Sequence, residues 1–164
     1  MRFKNFAVEF MVLLLFWILL NNTLNLTILF VGIGLSAFLA LILCRNCDIF
    51  SEVRLNPKAI LYTLLYLFLF LVELIKSNLD VAYRVISPSL PINPGIVEVK
   101  TRLNSKMGRM ILANSITLTP GTLTVGIHED TLRIHWIDIQ ARDMQEATDK
   151  IVRKFEKYLE VIYG

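Results

Sequence analysis

The sequence is poor in charged residues and in metal-binding side chains. Only 19% of its 164 residues are charged, and the net charge of +3 is too small to indicate binding to nucleic acid. The second half of the chain holds His128 and His135 but no cysteine, so a tetrahedral metal site would lack its usual ligands there. Phosphate-binding glycine loops, zinc-protease motifs and nucleophile elbows do not occur in it either. These absences predict that the chain has no catalytic, cofactor or metal site.

The only two cysteines form a single C-x-x-C pattern, Cys44 and Cys47. This spacing is used in redox and metal sites, but here it has no second pair beside it. The favoured interpretation is that Cys44 ends a helix as a small apolar residue, with Cys47 in the loop after it. A redox or metal role is the alternative.

Apolar residues are in excess, at 55% of the chain, and they crowd into its first half. Three apolar runs cover residues 6–20, 24–44 and 57–75. The first is short for a membrane span, yet no small-residue cleavage pattern follows it, as one would follow a signal peptide. The second is long enough to cross. The third, which begins with Pro57 in a favourable first-turn position, should cross too. The chain is therefore predicted to be an integral membrane protein.

Small residues in the second run allow close contact between helices in lipid. They are Gly32, Gly34, Ser36 and Ala37.

The third helix is predicted to continue beyond Ile75, because charged residues recur on one face at steps of three, four and four. They are Glu73, Lys76, Asp80 and Arg84. Ion pairing where the helix emerges into headgroups and water explains this pattern. A charge inside a membrane is costly, so Glu73 and Glu9 are also candidate intramembrane ionisable residues that could carry ions.

The orientation depends on how many runs cross. Three crossings put the basic residues of the first 58 positions on one side and the C-terminal part on the other, which the positive-inside rule would place outside. If the short first run instead lies in the interface, the C-terminal part is cytoplasmic and only residues 45–58 lie opposite. Both interpretations are open on these residues alone.

Composition divides the chain into a transmembrane helical region, residues 1–86, a proline-rich linker, 87–95, and a small α+β domain, 96–164, called the tail below. The tail is predicted to begin with a strand from Ile96, followed by a short helix near residues 103–114. Residues 115–125 alternate polar and apolar residues around Pro120 and Gly121, which predicts strand, turn and strand. A hairpin turn is expected at 128–131, giving a sheet of three or four strands.

A final helix over residues 143–163 is predicted from a regular apolar stripe that should pack on the sheet. The stripe comprises Ala147, Ile151, Phe155, Leu159 and Ile162, and the residues predicted to face away are Lys150, Arg153, Lys154, Glu156 and Lys157.

Two strings in the tail carry a family resemblance. Pro91-Ile92-Asn93-Pro94-Gly95-Ile96-Val97 is followed by Leu112-Ala113-Asn114-Ser115-Ile116-Thr117-Leu118-Thr119-Pro120-Gly121-Thr122. Together with the order of apolar runs, linker and tail, they resemble the E-type subunits of Mrp-type sodium/proton antiporters over nearly the whole chain.

The resemblance implies an accessory subunit of a multisubunit membrane complex that exchanges cations for protons, with other subunits carrying the ion paths. Related subunits occur in membrane-bound hydrogenases and kindred complexes, so partners from either kind of assembly are expected. The resemblance also implies that the tail is cytoplasmic and that the chain is not an enzyme.

The second string could be a ligand loop or a subunit contact, and structure combined with subunit contact is favoured because no basic cluster adjoins it. Its candidate contact residues are Asn114, Ser115, Thr117, Thr119, Pro120, Gly121 and Thr122.

Overall fold

The computed structural model describes residues 3–21, 25–43, 52, 54 and 56–164. The chain forms two compact units, Met1–Val53 and Arg54–Gly164, and each is considered by itself. Within the described residues, two helices, Leu26–Leu43 and Pro57–Ile86, are long and apolar enough to cross a membrane, and a shorter apolar helical stretch covers Phe6–Asn21. A helical membrane part followed by a small α+β domain is confirmed.

The first unit is a pair of packed helices, α1 (Phe3–Asn21) and α2 (Leu26–Leu43). Trp17 donates its indole N–H to the carbonyl of Ile28 at 3.0 Å. A Cβ at Gly32 would lie 2.2 Å from Trp17 Cδ1, so only glycine fits there. Ser36 is buried on the same helix, whereas a Cβ at Gly34 would meet nothing within 4 Å. The predicted close contact thus involves Gly32 but not Gly34.

The second unit begins with α3 (Pro57–Ile86), a single helix of 30 residues. The Asn56 side chain caps it by accepting from Ala59 N at 2.6 Å, with Pro57 at the first position. The helix ends at Ser87 because the following Pro88 disfavours helical geometry in the residue before it. The predicted continuation past Ile75 is confirmed.

The tail contains a three-stranded antiparallel sheet in which the last strand of the chain lies between the other two. Its strands are β1 (Gly95–Lys100), β2 (Thr122–His128) and β3 (Thr131–Trp136), and its helices are α4 (Lys106–Leu118), α5 (Met144–Ile151) and α6 (Arg153–Tyr163). The predicted hairpin between β2 and β3 is confirmed, with Glu129 in the left-handed region at φ 53°.

One face of the sheet and the three tail helices enclose the core. Val99, Leu132 and Ile134 contribute from the strands, and all five residues of the predicted apolar stripe are buried against them. The final helix is interrupted at Val152, so it forms α5 and α6.

The prediction of a strand before the Pro-Gly turn is wrong, because residues 115–118 are the last turn of α4. Four alternating residues satisfy a helical period as well as a strand period, and the Ser115 hydroxyl donates to the Ile111 carbonyl one turn earlier at 2.7 Å. The turn therefore joins a helix to a strand.

Candidate functional site

One face of α3 packs along the tail, and this region is called the α3–tail contact. Tyr62 meets the ring of Tyr158 at a centroid distance of 6.1 Å, and Tyr66 meets Phe155 edge-on at 6.3 Å. The Tyr66 hydroxyl also hydrogen-bonds the hydroxyl of Ser115 in α4. Because residues four apart share a helix face, the two tyrosines of α3 reach the same side of the tail.

Glu73 lies midway along this contact and is paired on two sides. Its carboxylate contacts Lys154 Nζ of α6 and lies 3.6 Å from Lys76 Nζ one turn along α3. Its side chain is only 17% exposed. The predicted support from Lys76 is confirmed, whereas the prediction that Lys154 faces away is wrong. Glu73 is thus a compensated charge between two helices.

Arg84 ties the end of α3 to the linker and to the segment after β3. Its guanidinium donates to Asp80 Oδ2 at 2.7 Å, to Asp138 Oδ2 at 2.8 Å and to the Pro91 carbonyl at 2.5 Å. The Gln140 amide, donating at 2.8 Å, and then Arg84 hold the pKa of Asp138 below its usual value, against the opposing effect of desolvation.

Most of the candidate contact motif is used to end α4 and begin β2. Thr119 Oγ1 donates to the Ile116 carbonyl at 2.8 Å, and Thr122 Oγ1 donates to the same carbonyl at 2.6 Å. Thr117 Oγ1 accepts from Thr124 N at 3.1 Å, which satisfies a backbone donor of β2. Asn114 is exposed. Hydroxyl side chains thus donate hydrogen bonds to the carbonyls that a helix end leaves unpaired.

Gly121 allows the turn after α4 to lie against α3. Its φ is +92°, and an added Cβ would lie 3.1 Å from Ile137 Cγ2 and 3.7 Å from Val81 Cγ2. The Gly121 carbonyl accepts from Ile137 N at 2.8 Å. Glycine is required by both the dihedral angle and the close approach.

Glu156 is a buried structural anchor that the sequence interpretation missed, because the prediction that it faces away is wrong. It is 1% exposed, and Oε1 accepts from Thr101 Oγ1 and from Arg102 N, both at 2.6 Å. Arg153 donates to Oε2 at 2.8 Å. Its position four residues after buried Val152 is the signal that could have found it, since residues four apart share a face.

The comparison with known proteins covers nearly all of this architecture. A family described as "Na+/H+ ion antiporter subunit" matches residues 10–162. The chain belongs to this family. The resemblance to the E-type antiporter subunits is thereby confirmed.

Relatives of this antiporter-family chain come from two kinds of complex. The E1 subunit of the Na(+)/H(+) antiporter of Staphylococcus epidermidis is 32% identical over 160 residues, covering 90% of this chain and 97% of the relative. The corresponding antiporter subunit of Alkalihalophilus pseudofirmus is 29% identical over 90% of this chain and 95% of the relative. A chain of the membrane-bound sulfane sulfur reductase, an archaeal respiratory membrane complex, is 43% identical with a TM-score of 0.85, over 96% of this chain and 98% of that one.

The other residues singled out in this antiporter-family chain are a carboxylate, two cysteines and two histidines. Glu9 is 8% exposed within the first unit. Cys44 and Cys47 lie outside the described residues. His128 and His135 are exposed on the hairpin, and the described residues contain no group of three side chains that could hold a metal ion.

Proposed function

We propose that this chain is an accessory subunit of a membrane complex that exchanges monovalent cations, sodium among them, for protons. The observation that carries this proposal is the pairing of the charged residues on α3. Glu73 is held by Lys154 and Lys76, and Arg84 by Asp80 and Asp138, so these charges act as structural links. An ion carrier would instead need a carboxylate that can release its partner during transport.

The identities favour a respiratory type of complex over a stand-alone antiporter. The chain shares 43% of its residues with the subunit of the archaeal respiratory complex and 32% with the staphylococcal antiporter subunit, at similar coverage. Purification from native membranes in mild detergent, followed by mass spectrometry, tests this. Redox subunits alongside large antiporter-like subunits support the respiratory type. Antiporter subunits alone favour the Mrp type, and recovery of the chain by itself contradicts the accessory role.

Under this proposal Glu73 links α3 to the tail and does not conduct ions. We expect Glu73→Gln to reduce cation/proton exchange only modestly and to leave the complex assembled, because the amide still fills the same space beside Lys154. The measurement is exchange in inverted vesicles containing equal amounts of complex, with Lys76→Gln as the control. Abolished exchange in a fully assembled complex would instead make Glu73 an ion carrier. The same comparison with Glu9→Gln tests the second candidate.

The exposed surface beside the motif is the proposed contact with another subunit. Strand β2 is patterned inversely, with its threonines turned towards α4 and its apolar side chains outward. Leu123, Val125 and Ile127 are 44–56% exposed, and Leu118 at the end of α4 is 60% exposed. An apolar row on an edge strand invites association, and coverage by a partner explains why it is tolerated.

Lysine substitutions on the two edge strands test this contact. Val125→Lys on β2 should weaken co-purification of the partner subunits, because a charge would be buried at the contact. Ile96→Lys on β1 is the matched control, since Ile96 is 54% exposed on the opposite edge of the sheet. Equal retention of partners by both variants would reject β2 as the contact.

The tail is proposed to lie on the cytoplasmic side of the cell membrane. This placement follows the family resemblance and agrees with the interpretation in which an even number of segments crosses the bilayer.

A further inference from the structure

The tail accompanies α3 along almost its whole length rather than following it at one end. Contacts begin before the helix, where Arg54 N donates to the Ile162 carbonyl at 3.1 Å, and they continue through Tyr62 to Arg84. From Tyr62 to Arg84 the helix rises about 33 Å. This is slightly more than the roughly 30 Å thickness of the hydrocarbon layer.

A tail packed in this way cannot accompany a helix through a bilayer. Charged side chains are exposed on the tail helices α5 and α6, of which α6 packs on α3: Asp149, Lys150, Lys157 and Glu160. Each charge at the membrane centre costs about 2.5–3.5 kcal/mol, and a tail that followed α3 through the bilayer would carry several such charges into the hydrocarbon layer. Hydropathy alone marks α3 as long and apolar enough to span, but its packing partner is a water-soluble surface.

The face of α3 opposite the tail is predominantly apolar and is interrupted by exposed Asn78, which shares the angular position of Ile60. Its apolar residues form one stripe along the helix, and all are 48–80% exposed. They are Ile60, Leu61, Leu64, Phe68, Leu71, Ile75, Leu79 and Ile86. Lys58 and Lys76 share one border of this face, where their ammonium groups could meet lipid headgroups. The opposite face packs on the tail through aromatic contacts and through the ion pairs of Glu73 and Arg84. A long exposed apolar face with a basic border is typical of helices that lie in a membrane interface.

We propose that α3 lies flat in the cytoplasmic interface of the bilayer, with its apolar face in the acyl boundary and the tail on its water side. The bilayer is the expected occupant because α3 follows the apolar helix α2 closely in the chain and because its exposed apolar face continues for about 39 Å. This inference rests on the proposed membrane-complex role.

A flat α3 also makes the distribution of basic residues agree with the cytoplasmic tail that the family resemblance implies. If α1 and α2 cross as a hairpin and α3 does not cross, all basic residues before α3 fall on the same side as the tail. They are Arg2, Lys4, Arg45 and Arg54. The connection between α1 and α2 carries no charge. The positive-inside rule then places the tail in the cytoplasm without an interfacial first segment.

Spin-label depth along α3 is the deciding measurement, made on the full chain in its native complex with Cys44→Ser and Cys47→Ser. Leu64→Cys, Ile75→Cys and Ile86→Cys carry nitroxides on the same face, each about 16 Å from the next along the axis. A flat helix gives the same shallow depth at all three, as reported by collision with oxygen and with a polar nickel chelate. Depths that change by about 16 Å from label to label would overturn the proposal. Exclusion of both reagents would overturn the bilayer as occupant in favour of a protein partner. A label at Lys157→Cys is the water-exposed control.

Sidedness of the two ends of α3 provides an independent readout. Lys58→Cys and Ser89→Cys should both react with an impermeant maleimide only when the cytoplasmic face is outward, and Asn22→Cys only from the opposite side. Reaction of positions 58 and 89 from opposite sides overturns the flat helix. Reaction of both from the outer side supports the flat helix and overturns the cytoplasmic placement. Neither result depends on which partners co-purify, so the accessory role is tested separately.

Discussion

At the scale of single residues, Glu156 shows how a charge can be structural. Its carboxylate holds the Thr101 hydroxyl, the Arg102 amide and the Arg153 guanidinium inside the tail. We expect Glu156→Gln to lower the free energy of unfolding by about 2 kcal/mol, because the neutral amide loses charge-assisted bonds and leaves donors unsatisfied. Thermal unfolding of the full chain in detergent measures this. Glu160→Gln, at an exposed position of the same helix, should unfold like the wild type. Equal stability of the two variants would show that the buried carboxylate is dispensable.

The lowered pKa of Asp138 predicts how the stability of the tail changes at acidic pH. Gln140 and Arg84 lower its folded pKa below the ordinary value of 3.8. A carboxyl with a depressed folded pKa stabilises the fold fully above its unfolded pKa, and this contribution is lost as the pH falls through the folded pKa. Asp138→Asn should therefore be less stable than wild type at neutral pH, and the difference should shrink as the pH falls below 3.8. Unfolding curves over this range measure it. Glu98→Gln is the control, because it breaks an exposed ion pair whose atoms are 3.9 Å apart. Its stability should differ little from that of the wild type at either end of this pH range.

At the scale of elements, the turn between α4 and β2 depends on Gly121. Gly121→Ala should cost about 1–2 kcal/mol of stability, because alanine is strained at φ +92° and its Cβ would press on Ile137. Gly126→Ala is the matched control in the neighbouring strand, where an added Cβ meets nothing within 4 Å. Comparison of the two melting temperatures tests the turn. A normal melting temperature for Gly121→Ala would mean that the turn adjusts without penalty.

The elements also show where sequence patterns are sufficient. The five-residue stripe of the last helices and the start of α3 at Pro57 follow local rules, and both occur as predicted. Residues 115–118 fit two periods, and in the helix that forms Ser115 bonds Tyr66, 49 positions away. The inverse pattern of β2 likewise makes sense only once α4 accepts its threonine hydroxyls. Local alternation cannot anticipate such distant partners.

At the scale of the whole molecule, hydropathy identified the membrane helices but could not show what each face of α3 contacts. The strongest polar signal, the charged face from Glu73 to Arg84, predicted mutual ion pairs. Its tail partners, Lys154 and Asp138, lie 81 and 54 positions further along the chain. A helix can thus have the composition of a membrane span and the packing of a domain element. Composition alone places the end of the membrane region after residue 86. The compact unit that contains the tail begins at Arg54 and therefore includes α3.

Two fragments distinguish these boundaries. Residues 54–164 should unfold cooperatively in mild detergent, whereas residues 96–164 should be several kcal/mol less stable or should aggregate. Removing α3 uncovers the core beneath four side chains, Tyr62, Tyr66, Leu69 and Phe70. Half-burial of each contributes roughly 1 kcal/mol, and a domain this small has little stability to lose. Circular dichroism melts and size-exclusion profiles compare the fragments. If residues 96–164 are as stable and monodisperse as the longer fragment, the tail is an independent domain and α3 only rests against it.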